Sequence, residues 1–399
     1  MSRSTVQYEL TNIALFVNVT YMYIKRALES VLRNALFKNK VIILYGPRQA
    51  GKTTLIKHIT ADQGSGVLFI DCEIVRNNEL LSRRDAQELF SLVAGYRIVV
   101  FDEAQTVRGI GQVLKTLFDH RPEIQYIATG SSSFDLANEI SEPLTGRSRE
   151  YVLYPLGLTE LYENAFDIET HLPEYMRFGG YPGLLGGSEQ DKQRDLQLLV
   201  SQYLYKNVLS LDGVRKPETV TALLKLLAFQ IGNEVSFREL SQQTGASIAT
   251  IQKYIDLLEK NFVIIRIGSY ARNQRNEVTR AKKIYFIDIG LRNALIDAFA
   301  PMQTTARNDV GAVFENCMIV ERMKHIAHSG GTGLHQYFWR TVARHEIDYI
   351  EEYQGTSAAF EFKWNQKNES DIFPHFKKAY PDIPVTGVSP RSAFDFVSR

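Results

Sequence analysis

The chain has 399 residues, of which 44% are hydrophobic and 23% are charged, with a formal net charge of +1 at pH 7. The length suggests two or three domains with enough apolar material for their cores, and no segment is long enough to predict a membrane span. A net charge near zero indicates no partner by itself, because only local clusters of charge could do so.

The beginning of the chain carries little structural signal. Residues 1–22 are predicted to be an N-terminal extension, since a good amphipathic helix begins only near Ile24. The uncharged stretch 11–23 has the size of a signal-peptide core but lacks a preceding basic region and a cleavage site. Cys72 and Cys317 form no metal-site spacing and no disulfide framework. We therefore predict a reducing compartment and a cytoplasmic protein.

Residues 46–53, with the sequence GPRQAGKT, fit the phosphate-binding P-loop pattern G-x-x-x-x-G-K-[ST]. The apolar run 41–45 predicts a strand entering the loop, and 53–59 predicts a helix leaving it. Two glycines let backbone N–H groups converge on phosphate oxygens, Lys52 can reach the β- and γ-phosphates, and the Thr53 hydroxyl can hold Mg²⁺. The alternative is an ordinary glycine-rich turn. The predicted ligands are ATP and Mg²⁺.

The strand predicted over residues 97–101 ends in two carboxylates, which is the Walker B arrangement of P-loop enzymes. Asp102 is expected to hold the Mg²⁺ shell with Thr53, and Glu103 to polarise the attacking water as general base. The alternative is a strand end that meets solvent.

A further strand, 124–129, precedes a serine-rich segment, and residues 67–71 predict another strand of the same sheet. Ser131 or Ser132 could sense the γ-phosphate, although a plain serine-rich turn fits nearly as well. Arg147 could stabilise charge on the transferring phosphoryl group, in cis or from a neighbouring subunit of a homo-oligomer; the alternative is a surface arginine. The predicted nucleotide-site residues are Gly46, Pro47, Arg48, Gln49, Ala50, Gly51, Lys52, Thr53, Thr54, Asp102 and Ser131, with Glu103 and Arg147 as catalytic residues.

Strands that alternate with helices predict an α/β fold, in which a parallel sheet is covered by helices on both faces and the ligand lies at the carboxyl ends of the strands. We assign this AAA-like P-loop domain to residues 23–157, and a helical lid or linker to 158–217. The turn at 179–183 is not a second phosphate loop, because it lacks the Lys-Ser/Thr pair and a preceding strand.

Residues 218–290 predict a winged-helix domain, with three helices followed by a β-hairpin over 262–267 and 283–287. A basic hairpin suits the phosphate backbone of DNA, while a structural or subunit-contact role fits equally well. The hairpin region has six basic residues against two acidic ones; the basic residues are Arg266, Arg272, Arg275, Arg280, Lys282 and Lys283, and the acidic ones are Glu277 and Asp288.

Residues 291–399 match the PD-(D/E)xK nuclease pattern and predict a restriction-endonuclease-like α/β domain. Glu315 lies on a predicted helix, Asp348 on one strand, and Glu361 and Lys363 on the next strand. The three acids are predicted to coordinate Mg²⁺, and Lys363, on the same strand face as Glu361, to position water or stabilise charge. Because such a domain can keep its fold for binding alone, the sequence leaves cleavage open.

The chain resembles the bacterial and archaeal AAA-type ATPases that carry a C-terminal DUF4143 domain. The resemblance covers nearly everything from Tyr23 onward and implies this fold and ATPase activity. It rests on the ordered motifs GPRQxGKT (46–53), FDExQ (101–105), TGSS (129–132), GR (146–147), YPL (154–156), GGYP (179–182) and YFIDIGLR (285–292), together with the nuclease-like acids.

Two functions follow from this organisation. The first is an ATP-hydrolysing protein that acts on duplex or branched DNA, with a C-terminal domain that either binds the DNA only or also cleaves it with Mg²⁺. The alternative is a nucleotide-controlled signalling or stress-defence switch that binds a protein partner and whose nuclease-like domain is inactive.

Overall fold

The computed structural model describes residues 23–131, 143–203, 216–270, 282–305, 307–341, 343, 345–365 and 373–399. The predicted extension 1–22 lies outside these residues. So do Ser132 and the hairpin residues Arg272, Arg275, Glu277 and Arg280.

The described residues form helices and strands throughout, and the two types alternate in the first third of the chain. The helices are α1 (Leu28–Ala35), α2 (Lys52–Thr60), α3 (Val75–Arg83), α4 (Ala86–Val93), α5 (Ile110–His120), α6 (Leu158–Leu161), α7 (Ala165–Phe178), α8 (Glu189–Tyr203), α9 (Pro217–Phe229), α10 (Phe237–Thr244), α11 (Ile248–Lys260), α12 (Ile289–Leu295), α13 (Val310–His328), α14 (Pro374–Ala379) and α15 (Ala393–Val397). The strands are β1 (Val41–Tyr45), β2 (Val67–Asp71), β3 (Ile98–Asp102), β4 (Gln125–Gly130), β5 (Ser148–Val152), β6 (Glu234–Val235), β7 (Ile264–Ser269), β8 (Lys282–Phe286), β9 (His335–Arg340), β10 (Glu346–Tyr353), β11 (Thr356–Phe362) and β12 (Val385–Val388).

Strands β1 to β5 form one sheet in the order β2-β3-β4-β1-β5, and every neighbouring pair is parallel. Alternate side chains of β1 point to opposite faces, as a strand requires. Ile43 packs against α3, α4 and α5 on one face, whereas Ile42 packs against α1 and α2 on the other. The predicted α/β fold with a parallel sheet between two layers of helices is confirmed.

The second sheet has seven strands in the order β12-β11-β10-β9-β7-β8-β6. The predicted hairpin is present as the antiparallel pair β7–β8, and β7 also pairs in parallel with β9. One sheet therefore runs across the boundary that the sequence placed between residues 290 and 291. The division into five domains stays a prediction.

Helix α13 is the long element beneath this second sheet. Its 19 residues are buried nearly all round, and its apolar side chains belong to the core that also holds β10, β11 and α15. It also contacts α1 and β5 of the first half of the chain. Within the described residues, no helix combines the length and apolarity needed to cross a bilayer.

The central strand β4 should be among the most sensitive positions of the first sheet. We expect Ile127→Ala to lower the free energy of unfolding by about 2–5 kcal/mol, because Ile127 is fully buried and truncation leaves a cavity. Val75→Ala, at a residue that is 70% exposed, should change it by less than about 0.5 kcal/mol. Urea unfolding measures both, and equal effects would contradict this account of the core.

Candidate functional site: the P-loop and the C-terminal acid cluster

The loop between β1 and α2 has the backbone of a phosphate cradle. Gly46 has φ +149°, and a Cβ placed there would lie 2.1 Å from the Leu153 carbonyl oxygen. Gly51, just before α2, has φ +96°, which only glycine adopts without strain. Both glycines of the pattern are therefore required by backbone geometry, and the loop ends at the N-terminus of a helix, where anions bind.

Lys52 lies inside this loop. Its ammonium donates to the carbonyl oxygens of Gly46 (2.9 Å) and Pro47 (3.0 Å), and the residue is only 4% exposed. Burial lowers its pKa, although the nearby Glu103 and Asp102 carboxylates oppose the shift. The donors and the charge that a phosphate needs are already held within the loop.

Two hydroxyl groups and one carboxylate converge beside Lys52. The Thr53 hydroxyl donates to Asp102 Oδ2 at 2.8 Å, and the Thr129 hydroxyl donates to Asp102 Oδ1 at 2.5 Å. Hydroxyl and carboxylate oxygens are the ligands that Mg²⁺ prefers, so this pair fits the predicted metal site. Thr129 had no predicted role. Its position at the end of the strand beside β3 could have identified it as a site residue from the sequence.

Glu103 follows at the end of β3 in the left-handed region, with φ +51°. Its N–H donates to Thr129 Oγ1 (3.1 Å), and its Oε2 accepts from Gln105 Nε2 (2.7 Å), which also donates to Ser131 Oγ (3.1 Å). A strained backbone held by hydrogen bonds is typical of functional positions. Ser131 thus reaches the site through Gln105, and its sensing role stays a prediction.

The remaining residues of the predicted nucleotide site lie around the loop. Arg48 is 3.7 Å from a Glu73 carboxylate oxygen, and Gln49 lines a small cavity with Tyr181. The Ala50 carbonyl oxygen accepts from Arg26 (2.8 Å), and Thr54 is exposed on α2. Arg26 was not predicted, because nothing in the sequence ties a residue before α1 to this loop.

Arg147 lies at the opposite edge of the sheet. It precedes β5, its carbonyl oxygen accepts from Val41 N, and its guanidinium is paired with Asp119 at 2.8 Å. The P-loop follows the other end of β1, about 17 Å away along five residues of strand. The predicted cis role is therefore wrong. A role in trans stays a prediction.

The predicted acids of the C-terminal half lie near one another, and a buried lysine contacts one of them. Lys283 of β8 is 1% exposed, and its ammonium lies 2.9 Å from Glu315 and 2.6 Å from Glu346. Burial alone would lower the pKa of Lys283, but the surrounding carboxylates raise it above its ordinary value. Glu315 also accepts from Tyr285 OH at 2.5 Å.

The other members of the nuclease-like pattern lie on β10 and β11. Asp348 accepts from Phe362 N at 2.9 Å, and Lys363 is paired with Glu361 at 2.7 Å. Burial and the Asp348 carboxylate raise the pKa values of Glu315 and Glu361 to about 7. These acids thus carry less negative charge at neutral pH than ordinary carboxylates.

Within the described parts of the chain, no three His, Cys, Asp or Glu side chains are placed to hold a metal ion. The predicted Mg²⁺ site of Glu315, Asp348 and Glu361 stays a prediction. The buried ammonium of Lys283 already supplies positive charge beside Glu315.

The predicted basic hairpin is also weaker than its sequence suggested. Arg266 is paired with Asp256 (2.7 Å) and with Glu259, and Lys283 is buried. Three of the other basic residues lie outside the described residues, and Arg266 and Lys282 are the partly exposed ones among those described.

Three segments of the chain match models of known protein families. Residues 38–162 match a family model described as an AAA domain, and residues 310–392 match the domain of unknown function DUF4143. The chain carries an AAA domain and a C-terminal DUF4143 domain. This confirms the resemblance seen in the sequence motifs. A third model, the domain of unknown function DUF8612, matches residues 169–301.

Relatives occur in bacteria and archaea. An uncharacterized protein of Mycobacterium tuberculosis is 28% identical over 335 residues, which cover 83% of this chain and 72% of the relative. One of Methanocaldococcus jannaschii is 26% identical over 316 residues, covering 69% and 66%. Among solved structures, the Thermotoga maritima RuvB Holliday junction branch migration motor is 20% identical, covers 60% of this chain and 86% of that chain, and has a TM-score of 0.30. A score this low supports no inference about shared function.

The raised pKa of Glu361 generates a pH-dependent prediction. A carboxyl group whose pKa rises on folding stabilises the protein at low pH, and this contribution is lost as the pH rises from about 4.5 through about 7. We expect Glu361→Gln, which mimics the protonated group, to gain about 1–3 kcal/mol relative to wild type between pH 5 and pH 8.

The measurement is urea unfolding of both proteins at the two pH values. Glu352→Gln, a half-buried position on the neighbouring strand β10, is the matched control and should differ from wild type equally at both. If Glu361→Gln behaved like this control, the burial argument for the acid cluster would be wrong.

Proposed function

We propose that the protein is a Mg²⁺-dependent ATPase that works as a nucleotide-controlled switch, with a C-terminal domain that does not cleave nucleic acid. One observation carries the hydrolase part: Lys52, Thr53, Asp102 and Glu103 meet at the carboxyl ends of β1 and β3, around a loop whose two glycines have positive φ. The AAA domain match over residues 38–162 supports it.

The residues divide the work as follows. Backbone N–H groups of the loop and the Lys52 ammonium bind the β- and γ-phosphates, and the Thr53 hydroxyl and Asp102 carboxylate hold Mg²⁺. Bound Mg²⁺ supplies charge neutralisation on the phosphate oxygens. Glu103 orients a water molecule and accepts its proton at a carboxylate oxygen, while Gln105 fixes the Glu103 side chain through its 2.7 Å hydrogen bond.

These roles predict two different losses of activity. Lys52→Ala should abolish both ATP binding and turnover, because it removes the buried charge of the loop. Glu103→Gln should keep ATP binding and lower turnover about 10²–10⁴-fold, because it removes the base and preserves the shape.

Phosphate release and equilibrium binding of ATP measure the two effects. Lys57→Ala, on the exposed side of α2, and Glu88→Gln, on α4, are the matched controls and should keep wild-type values. Equal turnover in Glu103→Gln and wild type would remove Glu103 from the mechanism.

The switch part of the proposal rests on the C-terminal acid cluster. Lys283 neutralises Glu315 and Glu346, and Lys363 pairs with Glu361, so we interpret the cluster as an ion-paired core rather than as an open metal pocket. The sheet of this region continues into the hairpin β7–β8, which ties it to the preceding helices. A continuous sheet of this kind could move as a unit when the bound nucleotide changes, and could present a contact surface to a protein partner.

A second candidate function is ATP-dependent action on duplex or branched DNA. It is favoured by the order of elements α9, β6, α10, α11, β7 and β8, in which β6 pairs with β8; we interpret this as a winged-helix domain. On α11, Gln252 and Lys253 are exposed and could reach a groove.

The two candidates differ in their response to DNA. The switch predicts that duplex, forked and junction DNA leave ATP turnover unchanged and bind no more tightly than the non-specific range of roughly 10⁻⁴–10⁻⁶ M at physiological salt. It also predicts no Mg²⁺-dependent cleavage in wild type or in Glu361→Ala. Turnover that is stimulated by one DNA structure, with tighter binding, would favour the second candidate and overturn the first.

A further inference from the structure

Arg26, just before α1, joins three segments of the chain from a buried position. The residue is 4% exposed. Its Nη1 donates to the Ala50 carbonyl oxygen of the P-loop (2.8 Å), and its Nη2 donates to the Tyr154 carbonyl oxygen (2.7 Å). Its Nε donates to Glu160 Oε1 at 3.0 Å. A guanidinium presents five N–H donors in one plane on three nitrogens, so it reaches acceptors in separate segments, whereas the three donors of an ammonium lie on a single nitrogen.

The bond to Ala50 bears directly on the phosphate site. The Ala50 carbonyl and the Gly51 N–H belong to one planar trans peptide unit, so the two groups point in opposite directions. By holding the carbonyl toward itself, Arg26 directs the Gly51 N–H to the opposite side of the loop. Gly51 has φ +96° and can turn easily, so an external hydrogen bond is what fixes the direction of this donor.

Glu160 connects the Arg26 guanidinium to helix α13. The Glu160 side chain is 2% exposed, and it accepts from Ala27 N (2.9 Å) and Gly157 N (3.0 Å) as well as from Arg26. His328, the last residue of α13, places its Nδ1 at 3.3 Å from Glu160.

The tautomer of His328 follows from its second contact. The Tyr154 N–H donates to His328 Nε2 at 3.1 Å, so Nε2 accepts and the ring hydrogen lies on Nδ1, facing Glu160. Tyr154 therefore bonds both partners, Arg26 through its carbonyl and His328 through its N–H. The chain of contacts runs without a gap from the P-loop to the DUF4143 region.

We propose that Arg26 is the positioning residue of the phosphate loop, and that Glu160 and His328 connect the backbone conformation of this loop to α13. This proposal rests on the proposed ATP binding and adds the residues through which nucleotide occupancy reaches the C-terminal domain. Arg26 touches no phosphate; it acts through the Ala50–Gly51 peptide.

The test compares Arg26→Lys with Arg33→Lys. The control makes the same change on the neighbouring helix α1, where Arg33 pairs with Glu29 and donates to the Ile59 and His58 carbonyl oxygens in the last turn of α2. We expect Arg26→Lys to weaken ATP binding at least tenfold and to raise KM far more than it lowers kcat. Arg33→Lys should stay within twofold of wild type. A purely structural arginine would lower Tm without changing the affinity of the folded protein, and that result would overturn the proposal.

A second measurement needs no nucleotide. Hydrogen exchange of the free protein should become at least tenfold faster at residues 46–53 in Arg26→Lys and unchanged there in Arg33→Lys. If wild type failed to bind ATP, the proposed function would be wrong, while this comparison would still decide whether Arg26 orders the loop. Should Arg26→Lys fail to fold, Glu160→Gln keeps the shape of the partner and is expected to give the same two changes.

The link to α13 is tested with His328→Gln. We expect a three- to tenfold loss of ATP affinity, and in the double variant with Arg26→Lys a loss smaller than the product of the two, because both act through Glu160. Losses that multiply independently, or no loss in His328→Gln, would confine the effect of Arg26 to the loop and overturn the connection.

Discussion

The compensation of buried charge is the constraint on which this structure depends. Helix α13 carries several charged residues that are almost fully buried; Glu321 and Lys324 pair within the helix and both contact Tyr175 of α7, whereas Arg322 pairs with another element. Glu321 accepts from Lys324 (2.8 Å) and Tyr175 OH (2.6 Å), and Arg322 binds both oxygens of Glu351 at 3.0 Å. Leaving any of these charges unpaired would cost several kcal/mol, so each pair fixes where its partner element lies. The position of α13 relative to the rest of the chain is set by polar contacts as much as by its apolar surface.

The same constraint acts on the acids of the nuclease-like pattern. Three carboxylates at this depth require positive charge, and either a bound cation or a buried side chain can supply it. Lys283 supplies it here, with an ammonium 2.9 Å from Glu315. It reaches that place because β8 lies in the same sheet as β9 to β12. A lysine that the sequence grouped with a basic, solvent-facing hairpin is thus part of the core.

The sequence predicted the P-loop half well because its determinants are local. A glycine pattern, two apolar strands and a helix start lie between residues 41 and 102, and strand parallelism then brings Thr53 and Asp102 together. The misplaced residues depended on pairing between distant segments. Arg147 was placed near the phosphates, although the parallel register of β5 with β1 puts it at the other edge of the sheet. Arg26, Glu160 and His328 are separated by up to 302 positions in the chain and leave no spacing signal, so only the folded arrangement reveals their contact.

Coupling between two sites needs an element with two arrangements as well as a chain of contacts. The P-loop has the features of such an element. The Lys52 ammonium donates to the Gly46 and Pro47 carbonyl oxygens of its own loop. A phosphate competes for the same ammonium. Its binding would replace these hydrogen bonds and allow the loop backbone to change conformation. The peptide that follows in the loop, Ala50–Gly51, is the one held by Arg26. A ligand shifts an equilibrium only by its different affinity for the two arrangements. The bond between Ala50 and Arg26 is the contact through which phosphate binding in the loop would affect α13.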